Sequence, residues 1–205
     1  ALLGGDTTSS SGALTISITA LGEGDPARMV YRSGGQESDV LCVSGDLGSA
    51  FAGLQILERE KAVFLENPEV QPDLSDYAYV VERQLRPSCR PELLAELLRQ
   101  NIRPHAMLDV SDGLASDARH LAEASKLGAV LVQDKFPVDY ETQKVAELID
   151  LPITHFALYG GEDYELLLAM SVEDFQQHGK ALKLTPVGYL TEKVEGVHMK
   201  LLDGS

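Results

Sequence analysis

The sequence predicts an α/β (α+β) sandwich in which helices cover a sheet. Three observations carry this. Short apolar or alternating runs of strand length recur along the 205 residues. Segments with apolar residues at helical spacing lie between them. Gly and Pro punctuate the joins, and some strands are linked by short turns. "GALTISITALGEG" sets Leu14, Ile16, Ile18 and Ala20 against Thr15, Ser17 and Thr19, the period of a half-buried strand. "GEGDPARM" is a turn and a domain boundary, dividing 1–26 from 27–205. "DVLCVSG" is a short strand, and Leu47 to Phe64 a helix with a charged far side. Pro72 breaks that pattern. Tyr77 to Leu85 and Pro91 to Gln100 read as two more helices, the second with Pro91 in its first turn, where a missing N–H costs nothing. Ala106 to Leu108 ends a buried strand, and a helix follows to about Lys126. "GAVLVQD" is a strand, "DYETQKVAELID" a helix, and "ITHFALYGG" a helical piece ending at Gly160-Gly161. Tyr164 to Met170 is a strand, "VEDFQQHGKAL" a helix, and "LTPVGYL" and "GVHMKLL" are closing strands.

The formal net charge is −15. Nucleic-acid binders show a basic patch, so this balance argues against one. The arginines between Arg83 and Arg103 are interleaved with Glu82, Glu92 and Glu96, as on a solvated helical face. Phosphate chemistry remains open to an acidic protein if a divalent cation supplies the positive charge. Cys42 sits in an apolar run and Cys89 in a polar loop. Two unmatched cysteines predict a reducing, cytoplasmic setting. No run of 18 apolar residues predicts a membrane span. The start "ALLGGDTTSSSG" lacks the basic and apolar regions of a signal peptide, and it opens in mid-pattern, as a piece of a longer chain would.

The P-loop pattern, the GxGxxG fingerprint, the G-x-S-x-G elbow and H-E-x-x-H are all absent. The five histidines are scattered. What remains is carboxylate beside glycine, in three islands: "GGDTTSS" (4–10), "DVSDG" (109–113) and "GGEDYE" (160–165). Carboxylates gathered at a turn repel one another unless a cation joins them. Mg²⁺ takes carboxylate oxygen and bridges to phosphates, and Gly lets backbone amides approach phosphate oxygens. Each island also has a plainly structural account. Asp112 suits the N-cap of the following helix. Gly4-Gly5 suits a turn with Ser and Thr as local bonders. "GGEDYE" suits a helix C-cap and turn. Capping needs one Asp, however, and Asp109 stands at a strand end with nothing to cap. Asp117 falls inside the helix and reads as solvated. Three islands of one kind in one chain point to a shared metal–phosphate site.

"LLGGDTTSS…LTISITALG", "YRSGG", "AMLDVSDGLASDARHLAEAS" and "YGGEDYELLL" resemble, in order and spacing, the thiamine-monophosphate kinase family. The wider superfamily includes aminoimidazole ribonucleotide synthetase, selenophosphate synthetase and a hydrogenase maturation protein of the same fold. The pair "DVSDGLASD" and "GGEDYEL" carries the specificity, and "GGEDYEL" points to the thiamine-phosphate branch. The resemblance implies transfer of the γ-phosphoryl of ATP to thiamine monophosphate, giving thiamine diphosphate and ADP, with Mg²⁺ and no P-loop. It implies that Gly5 and Asp6 meet ATP phosphates, with Asp6 also on Mg²⁺. Arg32 would contact ATP, as would Ser111. Asp109 and Asp112 would bind Mg²⁺, and Glu162 would contact the thiamine phosphate. A phosphate acceptor is already ionised, so no general base is required. The family's early "GDDAA"-type cluster and "VEGVHF"-like segment are absent; "VEGVHMK" at 194–200 is an echo at the wrong end. The resemblance therefore implies that 1–26 is the remnant of an N-terminal ATP- and metal-binding domain, and 27–205 a C-terminal α/β domain incomplete at its end. A homodimer in the full-length protein, and an inactive 205-residue stretch taken alone, are implied with it. The rival readings are a selenophosphate synthetase-like enzyme and a non-catalytic nucleotide-binding relative.

Overall fold

The computed structural model describes residues 1, 3–193 and 196–201. Its middle strand is β1 (Val40–Ser44), an apolar run buried on both faces. Such a run belongs in a sheet covered on both sides. Antiparallel strands flank it: β4 (Glu165–Met170), with Cys42 opposite Leu168, and β5 (Leu184–Thr191), with Cys42 opposite Pro186. β2 (Ala106–Val110) adds antiparallel to β4, and β3 (Gly128–Val132) antiparallel to β5. β6 (Val197–Lys200) closes the far edge, parallel to β3. The order is β2-β4-β1-β5-β3-β6.

Side-chain alternation sorts the sheet into two faces. Leu41, Val43, Ala106, Val110, Leu167 and Ala169 point to one. There α4 (Leu114–Ser125) contributes Leu114, Ala118, Leu121 and Ala122, and α6 (Ile153–Tyr159) contributes Ala157 and Leu158. Cys42, Leu168 and Met170 point to the other, under Leu93 and Leu97 of α3 (Pro91–Arg99), with Phe175 of α7 (Val172–His178) beside them. A third cluster is helix on helix. It joins Ala52 and Ile56 of α1 (Ser49–Glu66), Val80 of α2 (Ala78–Leu85), Val145 of α5 (Tyr140–Leu148) and Phe156 of α6. The α/β class and every helix read from the sequence are present. Cys42 is buried, which pushes its thiol up to about 12, and Cys89 is exposed. Among the described residues no helix is long and apolar enough to cross a membrane.

One element read from the sequence is corrected. Leu14, Ile16 and Ile18 are 88%, 74% and 88% exposed, and residues 13–20 form no strand. Alternation states which face would be buried, but a strand also needs a neighbour for its amides. No described strand pairs with this segment. Among the described residues, the one regular piece before β1 is a 3-10 turn, Pro26–Arg28, capped by the Asp25 side chain. The closing strand is found at Val197–Lys200, whereas 202–205 lie outside the described residues.

Candidate functional site

Two of the three carboxylate islands meet at one end of the sheet. β2 and β4 run side by side, with Asp109 opposite Leu166 and Val110 opposite Glu165. "DVSDG" leaves the end of β2 where "GGEDYE" enters β4. The turns are tied by backbone: the Glu162 amide donates to the Ser111 carbonyl (2.8 Å) and the Tyr164 amide to the Val110 carbonyl (2.9 Å). Gly161 has φ +66°, and a Cβ there would stand 2.6 Å from the Ser111 carbonyl oxygen. Gly113 has φ +98°, and a Cβ there would stand 2.5 Å from the Leu158 carbonyl oxygen. Only glycine suits both places.

Asp109 and Asp112 are exposed, as is Glu162, and Ser111 is half-buried. Asp112 does not cap α4. The N-cap is Gly113, which makes no side-chain cap bond. Asp117, expected to be solvated, is buried, and one carboxylate oxygen takes the Ser111 and Asp112 amides, each at 3.0 Å. The physical reason is that the tight turn leaves two N–H groups without a ladder partner, and a buried donor requires an acceptor. The first turn of α4 supplies it. Burial holds the Asp117 carboxyl above its ordinary range against those two amides, and the charges of Asp112 and Asp109 add to the rise. Asp112, Asp117 and His120 each present one ligand atom within 4.8 Å of the others. The hard oxygen donors of such a group fit a small divalent cation. The i, i+3 spacing of Asp117 and His120 was the signal available for this grouping.

The third island divides by direction. Glu162 and Tyr164 face outward, whereas Asp163 and Glu165 are fully buried. Asp163 accepts from the Gly48 amide (2.6 Å) and the Ala50 amide (3.1 Å), fastening the turn to the start of α1. Burial raises its carboxyl to about 6, against the pull of those amides and of Arg83. A raised acid favours the folded state fully below its unfolded value, and that contribution is lost as pH rises through about 6. Urea unfolding of wild type and Asp163→Asn between pH 4 and 8 should show the difference moving against wild type as pH rises. The change should be on the order of 3 kcal/mol, and a pH-independent difference would overturn this account.

The remaining site residues named from the sequence lie elsewhere. Arg32 is exposed beside the outer edge of β2, since the Met107 amide donates to the Tyr31 carbonyl (2.9 Å). Gly5 and Asp6 lie in the exposed amino-terminal segment, where Asp6 accepts from the Thr7 amide (2.8 Å). No hydrogen bond or ion pair among the described residues joins that island to the other two.

The family described as AIR synthase related protein, C-terminal domain, matches residues 36–198. The thiamine-monophosphate kinase of Bacillus subtilis (strain 168) is 34% identical over 204 residues, covering 95% of this chain and 57% of that protein. That of Haemophilus influenzae is 35% identical over 199 residues, covering 94% and 55%. The chain thus spans little more than half the length of these curated relatives. Among solved structures, thiamine monophosphate kinase from Aquifex aeolicus superposes with TM-score 0.70 at 31% identity, over 86% of this chain and 53% of that one. AaThiL complexed with AMPPCP and TMP gives TM-score 0.72 at 30% identity, over 87% and 52%. The hydrogenase maturation protein HypE of E. coli, at 22% identity and TM-score 0.62 over 86% and 51%, shares the fold.

Proposed function

The chain belongs to the AIR synthase related protein family, C-terminal domain, and from that premise we propose that it is part of an ATP-dependent kinase that converts thiamine monophosphate to thiamine diphosphate and ADP. The observation that carries the reading is the pair of interlocked turns. The Ser111–Glu162 backbone bond sets the residues proposed for nucleotide and for acceptor against each other. Homology to thiamine-monophosphate kinases supports the choice of acceptor.

Asp109 and Asp112 would hold Mg²⁺, their exposed carboxylates being hard donors at a strand end. When bound, the cation would neutralise phosphate oxygens so that two anionic substrates can meet. Ser111 bonds ATP in this reading, and Arg32 offers a forked donor to its phosphates. Glu162, a carboxylate, suits a cationic or N–H-bearing part of thiamine monophosphate, because its charge repels the phosphate. Gly5 and Asp6 would approach ATP phosphates, Asp6 also taking Mg²⁺, with 1–26 as part of an ATP- and metal-binding domain and 27–205 as the α/β domain. The full-length protein is proposed to act as a cytoplasmic homodimer.

The test is calorimetric titration of the intact gene product with AMPPCP, with and without Mg²⁺, for wild type and Asp109→Asn. Binding should require Mg²⁺ and weaken at least about tenfold in the variant, as for loss of a charged ligand contact. ADP formation on adding thiamine monophosphate then identifies the acceptor. Binding indifferent to metal and to mutation would leave Asp109 and Asp112 as turn residues and sink the proposal.

A further inference from the structure

Glu162 and Tyr164 both have left-handed backbone, at φ +60° and +52°. Such conformations are rare for residues other than Gly, and for a bulky aromatic one they are outliers. Strain of this kind persists where the surroundings fix it, and it concentrates at functional sites. Here four bonds fix it. The Glu162 and Tyr164 amides are held by the Ser111 and Val110 carbonyls, and Asp163 between them is anchored on the Gly48 and Ala50 amides.

The effect is to bring two alternate side chains out on the same side. The Tyr164 hydroxyl donates to Glu162 Oε2 at 3.1 Å. Asp109 and Asp112 also act electrostatically on this phenol. Tyr164 therefore stands directly against the proposed acceptor contact. An exposed glutamate is otherwise free to turn, and ordering it costs side-chain entropy on every binding event.

We propose that Tyr164 is a positioning residue for Glu162. Its hydroxyl holds one carboxylate oxygen and leaves Oε1 to face the cationic ring of the acceptor or to accept from its amino group. This rests on the reading of Glu162 as the acceptor contact. A positioning role differs from a contact of its own in one respect: it acts through Glu162, so its effect vanishes when Glu162 is altered.

The experiment is steady-state kinetics of the intact gene product with Mg²⁺-ATP and thiamine monophosphate, comparing wild type, Tyr164→Phe, Glu162→Gln and the double variant. Phe keeps the ring and removes only the hydroxyl. Tyr164→Phe should raise KM for thiamine monophosphate roughly tenfold, the weight of a hydrogen bond to a charged group, with KM for ATP unchanged. In the Glu162→Gln background the same change should add little. If Glu162→Gln raises that KM and Tyr164→Phe does not, or if the two effects multiply, the positioning role is overturned and the acceptor site stands. If Glu162→Gln leaves KM unchanged, or wild type does not use thiamine monophosphate, the site reading fails and this inference with it.

Discussion

Replacing Glu165 by Ala should destabilise the protein by about 3–5 kcal/mol, the range for breaking a buried ion pair from one side. Glu165 is fully buried and satisfied on all sides. The Ser44 hydroxyl and Arg90 Nε each donate to Oε2 at 2.6 Å, and Arg90 Nη2 donates to Oε1, as does Arg83 Nη2 at 3.0 Å. Truncation leaves Arg83, itself almost wholly buried, with the Asp46 and Asp163 carbonyls, each at 3.3 Å, and with the Asp163 carboxylate 4.0 Å away as the remaining charge among the described residues. An uncompensated buried guanidinium is the costly outcome, not the lost attraction alone. The urea midpoint is the measurement. A control at the exposed Arg99–Glu96 pair should leave the midpoint in place, because solvent screens such pairs. A Glu165→Ala midpoint as close to wild type as that control would refute the network's role.

Gly113→Ala should be the most damaging single methyl group at the site. At φ +98° and ψ 152° the backbone is in a region open essentially to glycine. The added Cβ would also press on the Leu158 carbonyl at 2.5 Å and on Tyr159 Cα at 3.0 Å. Strain of about 1–3 kcal/mol and overpacking of similar size add, so a loss of about 3 kcal/mol or more is expected. The same change should loosen the Ser111–Glu162 link, because α4 must move from the end of α6 to make room. Hydrogen exchange at the Glu162 amide reads this directly. Unfolding within about 1 kcal/mol of wild type, with that amide still protected, would show that the turn adapts without cost.

Most elements were legible because each imposes its own period. Pro91 marks the start of α3, and the apolar run Leu166 to Met170 marks β4. Strand order was not legible, since β4 meets β1 and β2 through pairings that no local pattern encodes. Within the site, Asp109, Asp112 and Glu162 were singled out as carboxylates at turns, and the fold gathers them at the β2–β4 end. The inward turn of Asp163 and Glu165 was foreshadowed by the alternation with Glu162 and Tyr164, but charge alone gave no direction. Asp117 was misread for the same reason. A carboxylate on a helix appears solvated until the unpaired amides of the turn before it are counted. At residues 13–20 the pattern stated a face to be covered and said nothing about the cover.

The strand order also governs how the chain comes into being. Among the described residues, no two strands that follow each other in sequence are neighbours in the sheet. Val40 pairs with Met170 and Tyr189, so β1 leaves the ribosome long before either partner exists. At about 5–20 residues per second, that interval is on the order of ten seconds. During it, the apolar strand meant for the middle of the sheet has neither ladder partner, because β2 and β3, made in the meantime, are not its neighbours. Closure of this sheet around β1 therefore waits until β4 and β5 have both been made, and until then the amides and carbonyls of an apolar strand lack their ladder.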